Sequence, residues 1–379
     1  MVEAKTSVQL SPREYVSHIV ALPQYVVAGL TDSSILQLPL TLDADALTTI
    51  QPGAPPSAKN QATTTGLASL PATPMAIVTC DSQGHLKTWD LRMRGAQQQT
   101  NALDSKLTVT AMGVSNFGEV ALGTAAQPDA EIYVYDVRQI KASKPLVRYR
   151  ESHNDDVTDL QFHPSVRNLM LSGSTDGVVN LFDTSITDED EAVIEAYNNI
   201  SSIHRTGFFT DTLTGVLNLN LKNEPASIQN NRVFALSHME TLKVFPVGND
   251  DKSVNEDYGD LREKWSCQYV ADYSKNHFMI GSNDEGWAGL VPMHFGAPQP
   301  LIKLDNGHGN EVVRCFDISQ ASGACYTGGE DGNVKLWDIG GHFDTTAKLA
   351  SEVGGNGALR PGKSKKKTLK DRKNETKKK

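Results

Sequence analysis

Two segments of 31 residues share one internal spacing, and this repeat restricts the possible folds more than any other feature. The segments run from His153 to Asp183 and from His308 to Asp338, and each begins with a histidine 23 residues before an Asp-Gly pair. In both, an aromatic residue follows that aspartate by six positions and is itself followed by aspartate. Self-similarity of this kind is typical of proteins built from repeated structural units.

The residues between these markers are patterned as β-strands. Val157 to Phe162 and Val312 to Ile318 are short, partly alternating runs, and alternation resumes at Val178 and Val334. The intervening Asp-Gly pair supplies the positive φ angles of a tight hairpin. Hairpins and β-branched strands argue against a solenoid of helical pairs with a similar period.

These segments resemble the WD-repeat family, whose repeat carries a Gly-His near its start and a Trp-Asp near its end. The resemblance implies a hydrogen-bonded network that pins each blade of a β-propeller. The residues that it implies are His308, Thr327, Asp331 and Trp337 in the last repeat and His153, Ser172 and Asp176 in the middle one. Phe182 stands in the tryptophan slot of the middle repeat, so that network lacks an N–H donor and must be shorter. Within the family, the run from Ser152 to Phe208 is similar to one eukaryotic subgroup.

Weaker copies of the repeat recur along the chain. The tryptophan slot is occupied by Leu38, Trp89, Tyr135, Phe182, Phe245, Val291 and Trp337. Seven copies predict an all-β fold, a single seven-bladed WD-repeat β-propeller over residues 1–345, with an insertion at 210–229. Because an open ring would leave a sheet edge unpaired, we expect Thr6 to Leu10 to supply the outer strand of the last blade.

Residues 346–379 are predicted to be a disordered Lys-rich tail, since they contain too few apolar residues to order themselves. From Arg360 onward, eleven basic residues against two acidic ones give +9, so the rest of a chain of net charge −9 carries −18. The residues of the basic tail are Lys363, Lys365, Lys366, Lys367, Arg372, Lys373, Lys377, Lys378 and Lys379. Such clusters suit an importin or RNA phosphates, without aromatic residues for base stacking. The expected location is the nucleus or nucleolus, with the cytoplasm also open.

Two blades end in Asp-x-Arg, at Asp90 to Arg92 and at Asp136 to Arg138. In some WD-repeat proteins such arginines contact the adaptor of cullin-RING ubiquitin ligases, so Arg92 and Arg138 are a possible ligase-adaptor contact. The simpler interpretation is that each arginine caps a strand end by pairing with the preceding aspartate. Gln83, where the motif normally has the turn aspartate, weakens the ligase interpretation.

No motif indicates catalysis. Residues Gly357 to Ser364 match the P-loop pattern, but lack the strand and helix that a phosphate site needs. The histidines have no metal-ligand spacing, no nucleophile motif occurs, and the four cysteines are expected to be core residues. The acidic run from Asp188 to Glu191 is either a solvated surface or a contact for a basic partner.

The sequence therefore predicts a non-enzymatic scaffold with no cofactor and no catalytic or metal site. Its propeller faces are expected to bind other proteins, as a monomeric propeller within a larger complex. No apolar run approaches the roughly 18 residues that cross a membrane, so no membrane partner is expected. The alternative function is that of a ubiquitin-ligase substrate receptor that uses Arg92 and Arg138.

Overall fold

The computed structural model arranges seven antiparallel sheets as the blades of a β-propeller, which confirms the predicted fold class. It describes residues 1–53, 62–71, 73, 75–93, 96–101, 107–142, 144–209, 232–248, 255–294, 297–299, 301–319 and 322–340. The compact unit that contains the blades runs from Met1 to Gly340. The predicted insertion at 210–229, the proposed boundary at 345 and the tail at 346–379 lie outside the described residues.

In blades 1 to 5 the four strands follow one another from the innermost to the outermost position, whereas two short strands pair with the third strand of blade 6 and the outer strand of blade 7 comes from the amino-terminal segment. In blades 1 to 3 the strands are Val16–Ala21, Tyr25–Leu30, Ile35–Pro39 and Thr48–Gln51; Thr64–Ser69, Ala76–Asp81, His85–Asp90 and Ala96–Asn101; and Val109–Val114, Glu119–Thr124, Ile132–Asp136 and Val147–Tyr149. In blades 4 and 5 they are Val157–Phe162, Leu169–Ser174, Val178–Asp183 and Val193–Asn198; and Ile203–Phe209, Arg232–Ser237, Thr241–Pro246 and Glu256–Asp260. In blades 6 and 7 they are Tyr269–Ser274, His277–Ser282, Trp287–His294, Ala297–Pro298 and Ile302–Leu304; and Val313–Ser319, Ala324–Gly329, Asn333–Asp338 and Ala4–Gln9.

Helices are confined to short connections between strands. The two α-helices of the described residues are Glu189–Ala192 and Leu261–Trp265, and the 3-10 turns are Ala44–Ala46 and Val137–Ala142. None of the helices in the described ranges is long and apolar enough to span a membrane.

The seven residues of the tryptophan slot occupy one register in their blades. Each lies on the third strand and pairs with the second residue of the second strand, as in Leu38 with Val26 and Trp337 with Cys325. All seven side chains are buried. The slot is therefore defined by its burial between sheets. Leucine, valine, phenylalanine and tyrosine occupy it in some blades and tryptophan in others.

The turns between second and third strands explain the placement of glycine. Gly84, Gly177, Gly286 and Gly332 have φ angles between 65° and 85° there, a region that glycine enters without steric cost. Ser33 and Glu240 hold the corresponding positions of blades 1 and 5, also with positive φ. Blade 3 differs, because residues 125–131 form a longer connection there.

The core lies between neighbouring blades. Val78 of blade 2 belongs to one cluster with Leu122 and Tyr135 of blade 3. Phe234 of blade 5 packs edge-on against Phe278 of blade 6, with 5.1 Å between ring centroids. Because sheets bury apolar side chains against their neighbours, contacts between adjacent blades contribute to the stability of the ring.

The first strand closes the ring, as the sequence predicts. Ala4–Gln9 pairs antiparallel with Asn333–Asp338 and becomes the outer strand of blade 7. It begins two residues before the predicted span of Thr6 to Leu10 and ends one residue before its end. Val2 forms a parallel bridge with Leu304 of blade 6, so the amino-terminal segment holds two blades.

Candidate functional site

The last blade contains a four-residue hydrogen-bonded network at the positions implied by the repeat. His308 bonds through Nδ1 to Asp331 Oδ1 at 2.7 Å and through Nε2 to Thr327 Oγ1 at 2.8 Å. The same Thr327 oxygen accepts the Trp337 indole N–H at 2.9 Å. Burial opposes ionisation of Asp331, but hydrogen bonds from His308 and Asn333 hold its pKa below the usual value. The network ties the connection before the blade to its central turn and third strand.

The middle repeat forms the shorter network expected from its phenylalanine. His153 Nδ1 lies 3.0 Å from Asp176 Oδ2, and Nε2 lies 2.6 Å from Ser172 Oγ. Phe182 stacks on Tyr149 with 4.9 Å between ring centroids, so an aromatic contact replaces the indole hydrogen bond.

Blade 2 contains a partial network that the repeat pattern missed. The Trp89 indole donates to Thr79 Oγ1 at 3.0 Å, as Trp337 does in blade 7. Gln83 holds the usual aspartate position, and Asp81 instead accepts from the backbone N–H of His85 and contacts its ring. Asp81, two residues before the usual aspartate position, is the sequence feature that indicates this partial network.

The Asp-x-Arg sequences form local bidentate ion pairs. Arg92 donates to Asp90 at 2.8 and 2.6 Å, and Arg138 donates to Asp136 at 2.9 and 2.7 Å. These hydrogen bonds lower the pKa of the Asp90 carboxyl to about 2. The guanidinium side chains nevertheless remain 66% and 71% exposed.

A third Asp-x-Arg pair has the same geometry in a different place. Arg262 donates to Asp260 at 3.0 and 2.7 Å, after the outer strand of blade 5.

We call the face of the propeller that carries the turns between second and third strands the upper face, and we call the opposite face the lower face. Because strands alternate in direction, Arg92 and Arg138 lie on the lower face, whereas Arg262 lies on the upper face. The ion pair alone is therefore a local cap and does not mark one surface.

A groove of about 450 Å³ lies beside Arg92, between blades 1 and 2. Its apolar lining includes Ile50, Trp89 and Leu91, and Met93 at its edge is 61% exposed. An arginine beside a groove of mixed polar and apolar lining resembles the composition of protein interfaces.

Side-chain links join the innermost strands of successive blades. The Thr110 hydroxyl donates to Val157 O at 2.6 Å, and the Thr158 hydroxyl donates to Ile203 O at 2.8 Å. Between blades 5 and 6 the link is an ion pair instead, with Arg205 Nε 3.0 Å from Asp272 Oδ1. Burial raises the pKa of Asp272, although Arg205 opposes this effect.

A pocket of about 250 Å³ opens near this ion pair, at the upper ends of the innermost strands of blades 5, 6 and 7. Its polar lining comprises His204, Arg205, Glu240, Tyr269 and Arg314. Burial and the nearby positive charges of Arg205 and Arg314 lower the pKa of His204 to about 3, so this imidazole is neutral at physiological pH. Glu240 stands in the turn position that glycine holds in blades 2, 4, 6 and 7.

Two apolar side chains project from the same part of the upper face. Ile200 precedes the innermost strand of blade 5 and is 84% exposed, and Met239 in the turn of that blade is 61% exposed. Ile200 has a φ of 72°, which is unusual for a β-branched residue. Ser202 and His238 hydrogen-bond at 2.9 Å and connect the two loops. The strained backbone at Ile200, together with a second exposed apolar side chain, makes these loops a candidate contact surface.

The acidic run from Asp188 to Glu191 begins the short helix Glu189–Ala192. Glu189 is already engaged, because it accepts hydrogen bonds from the backbone N–H groups of Arg150 and Glu151 and from the Ser152 hydroxyl. Asp188, Asp190 and Glu191 remain exposed. Part of the run is thus structural.

Other candidate chemistry is limited in the part of the chain that the structure describes. The four cysteines are buried and unpaired with one another, and no cluster of histidine, cysteine and carboxylate side chains there could hold a metal. The P-loop match at 357–364 and all nine predicted residues of the basic tail lie outside the described ranges.

Residues 144–183 and 299–338 match the family model described as WD domain, G-beta repeat. The matches coincide with the two blades that contain the histidine networks, and curated relatives carry the same family name. The chain belongs to the WD-repeat family.

Relatives of this WD-repeat protein occur in fungi, plants and amoebae. An uncharacterised WD repeat-containing protein of Saccharomyces cerevisiae is 34% identical over 276 residues, which are 69% of this chain and 64% of the yeast protein. The match thus spans less than two thirds of that relative. WD repeat-containing protein GTS1 of Arabidopsis thaliana is 26% identical, over 70% of this chain and 67% of the relative.

The subgroup resemblance is also supported. WD repeat-containing protein 89 homolog of Dictyostelium discoideum is 22% identical over 74% of this chain and 73% of the relative, and it belongs to the subgroup that Ser152 to Phe208 resembles. Among solved structures, the computationally designed Ika8 protein has a TM-score of 0.53 at 17% identity, and the match covers 89% of this chain and 99% of Ika8. That similarity concerns the fold alone.

Proposed function

We propose that this WD-repeat protein is a non-enzymatic scaffold that binds other proteins through its upper face. The observation that carries the proposal is the exposed pair of Ile200 and Met239, the first held in a strained backbone conformation beside a polar pocket. Backbone strain and an exposed apolar side chain both raise the free energy of the unbound protein, and contact with a partner would bury the side chain. The propeller acts as a monomer within a larger complex.

The test is affinity purification of the full chain from cells, in parallel with an Ile200→Ser/Met239→Ser variant. Under the proposal, the variant folds normally and loses specific partners. The matched control is Leu146→Ser/Ile194→Ser, which removes two exposed apolar side chains of blades 3 and 4. Equal loss of partners from both variants, or from neither, would contradict a role for the upper face of blade 5.

We further propose that the basic tail directs the scaffold to the nucleus or nucleolus and brings it near RNA. The support is the sequence contrast between a body of charge −18 and a tail of +9. A chain ending at Gly357 should lose nuclear enrichment, measured by imaging of the tagged protein. Purification with and without RNase separates importin from RNA, because only RNA-dependent partners are released by the nuclease. Unchanged localisation of the shortened chain would remove this role of the tail.

A second candidate function is that of a substrate receptor in a cullin-RING ubiquitin ligase. It is favoured by the exposure of Arg92 and Arg138 on the lower face of neighbouring blades, the first beside the groove between blades 1 and 2. Charge reversal of both arginines should abolish co-purification of the ligase adaptor. Arg262→Glu is the matched control, because it breaks the same kind of ion pair on the upper face. Adaptor binding that survives the double reversal would exclude this function.

A further inference from the structure

The pocket between blades 5, 6 and 7 contains a carboxylate oxygen without a hydrogen bond. Glu240 Oε2 is buried and has no partner among the described residues. The backbone N–H of Val270 hydrogen-bonds the Glu240 carboxylate, so the group is held in place and one oxygen is left over. Buried polar atoms are rarely unpaired, because the lost hydration is not replaced. Glu240 Oε2 is therefore an acceptor that none of the described residues uses.

The backbone at Glu240 is also unfavourable. The residue has a φ of 60° in the turn where blades 2, 4, 6 and 7 have glycine. A side chain at this position strains the turn, and glycine or asparagine would relieve the strain. Glu240 therefore has a strained backbone and one carboxylate oxygen without a partner among the described residues. Neither feature stabilises the fold, which favours a role in binding.

The other charges of the pocket are already paired. Arg205 donates to Asp272 at 3.0 Å, and Arg314 donates through Nε to Glu330 at 2.7 Å. Both arginines are thus engaged by carboxylates, and Glu240 is the carboxylate of the lining that has no ion pair among the described residues. His204 is neutral and adds no charge. A single positive charge with N–H donors is the group that completes this site.

We propose that this pocket receives one lysine or arginine side chain of a partner protein, with Glu240 as its hydrogen-bond acceptor. The volume of about 250 Å³ accommodates one long side chain. Tyr269 and His204 belong to the lining, and the exposed Met239, which precedes Glu240 in the chain, suits an apolar residue next to the basic one. The inference rests on the proposed protein-binding function and names the chemistry of the bound partner.

The experiment uses a library of random nonapeptides displayed on phage and selected on the full-length protein. The parent is compared with Glu240→Gln, which removes the charge but keeps the shape. Glu151→Gln is the matched control, because Glu151 is an exposed carboxylate of the upper face on blade 4. Melting curves establish that all three proteins are folded.

The expected result is enrichment of peptides with a lysine or arginine by the parent and by Glu151→Gln, but not by Glu240→Gln. For a synthetic peptide from the selection, Glu240→Gln and replacement of the basic residue by glutamine should each weaken binding at least about tenfold. The two changes together should weaken binding little more than either alone, since both remove the same contact between Glu240 and the basic side chain. Peptides without basic residues, or peptides bound equally by Glu240→Gln, would overturn the pocket assignment and leave the scaffold function standing. Failure to select any peptide would overturn the pocket assignment. If affinity purification also yielded no partners, the scaffold function would be overturned as well.

Discussion

Arg205 and Asp272 form an ion pair between blades 5 and 6, at a level of the ring where threonine hydroxyls join blade 3 to blade 4 and blade 4 to blade 5. Both side chains are mostly buried, at 31% and 21% exposure. An ion pair in this setting is costly to desolvate and costly to break, because the remaining charge is left without a partner. The junction between blades 5 and 6 is therefore sensitive to single substitutions.

Replacing Arg205 by methionine should lower the free energy of unfolding by about 2 kcal/mol, since the buried Asp272 carboxyl then loses its ion-pair partner. Asp272→Asn alone should have a comparable effect. The double variant should lose less than the sum of the two, as measured by denaturant unfolding. Strict additivity would show that the ion pair contributes no coupling.

Asp331→Asn should destabilise the last blade at neutral pH, because His308 loses a charged acceptor; we expect about 1–3 kcal/mol. The pKa of Asp331 is lowered in the folded protein, so its ionisation stabilises the fold at pH values above the unfolded pKa of about 4. This contribution is lost as the pH falls through the lower, folded pKa. Melting temperatures of the parent and the variant should thus converge in acid, and a constant difference down to pH 2 would contradict the charged network.

Trp337→Phe should lower stability by about 1–2 kcal/mol, because the indole N–H bonded to Thr327 is removed while an aromatic ring is kept. Phe182 shows that the same slot accepts phenylalanine in blade 4. Trp89→Phe is a parallel test, because Trp89 donates to Thr79 in the same way. Thermal unfolding indistinguishable from that of the parent in both variants would show that the indole bonds have no net effect.

Glu240→Gln should stabilise the protein at pH 8. Burial raises the pKa of Glu240 to about 7, against which the Val270 backbone and Arg262 act more weakly. The folded state therefore binds the proton more tightly than the unfolded state, and stability falls as the pH rises from about 4.5 through 7. A melting temperature that rises in the variant at pH 8 and matches the parent at pH 4 is the expected pattern. Lower stability of the variant at pH 8 would indicate an unrecognised partner for the carboxylate.

The sequence predicted the parts of this molecule that repeat. The slots from Leu38 to Trp337 were found by spacing, because each must fill the same space between two sheets. The closing strand was predicted because a ring cannot leave an edge unpaired. The link between Arg205 and Asp272 could not be predicted, since the two residues are 67 positions apart and occur once.

The candidate pocket was missed for a related reason. Glu240 departs from the repeat, and a departure can equally be a tolerated substitution or a functional one. Only the three-dimensional structure distinguishes these two alternatives, because it shows that Glu240 Oε2 is buried without a partner among the described residues and that Glu240 lines a pocket. The histidine networks, in contrast, were recognised because both copies keep the same spacing.

The pairing of Ala4–Gln9 with Asn333–Asp338 has a consequence for how the protein is made. At about 5–20 residues per second, the ribosome needs roughly 20–60 s between the first of these strands and the last. Throughout that time the first strand has no partner within the nascent chain, and the growing row of blades exposes an edge that can pair with another chain. The synthesis of this protein thus includes an interval in which the strand that closes the ring is made but cannot yet pair.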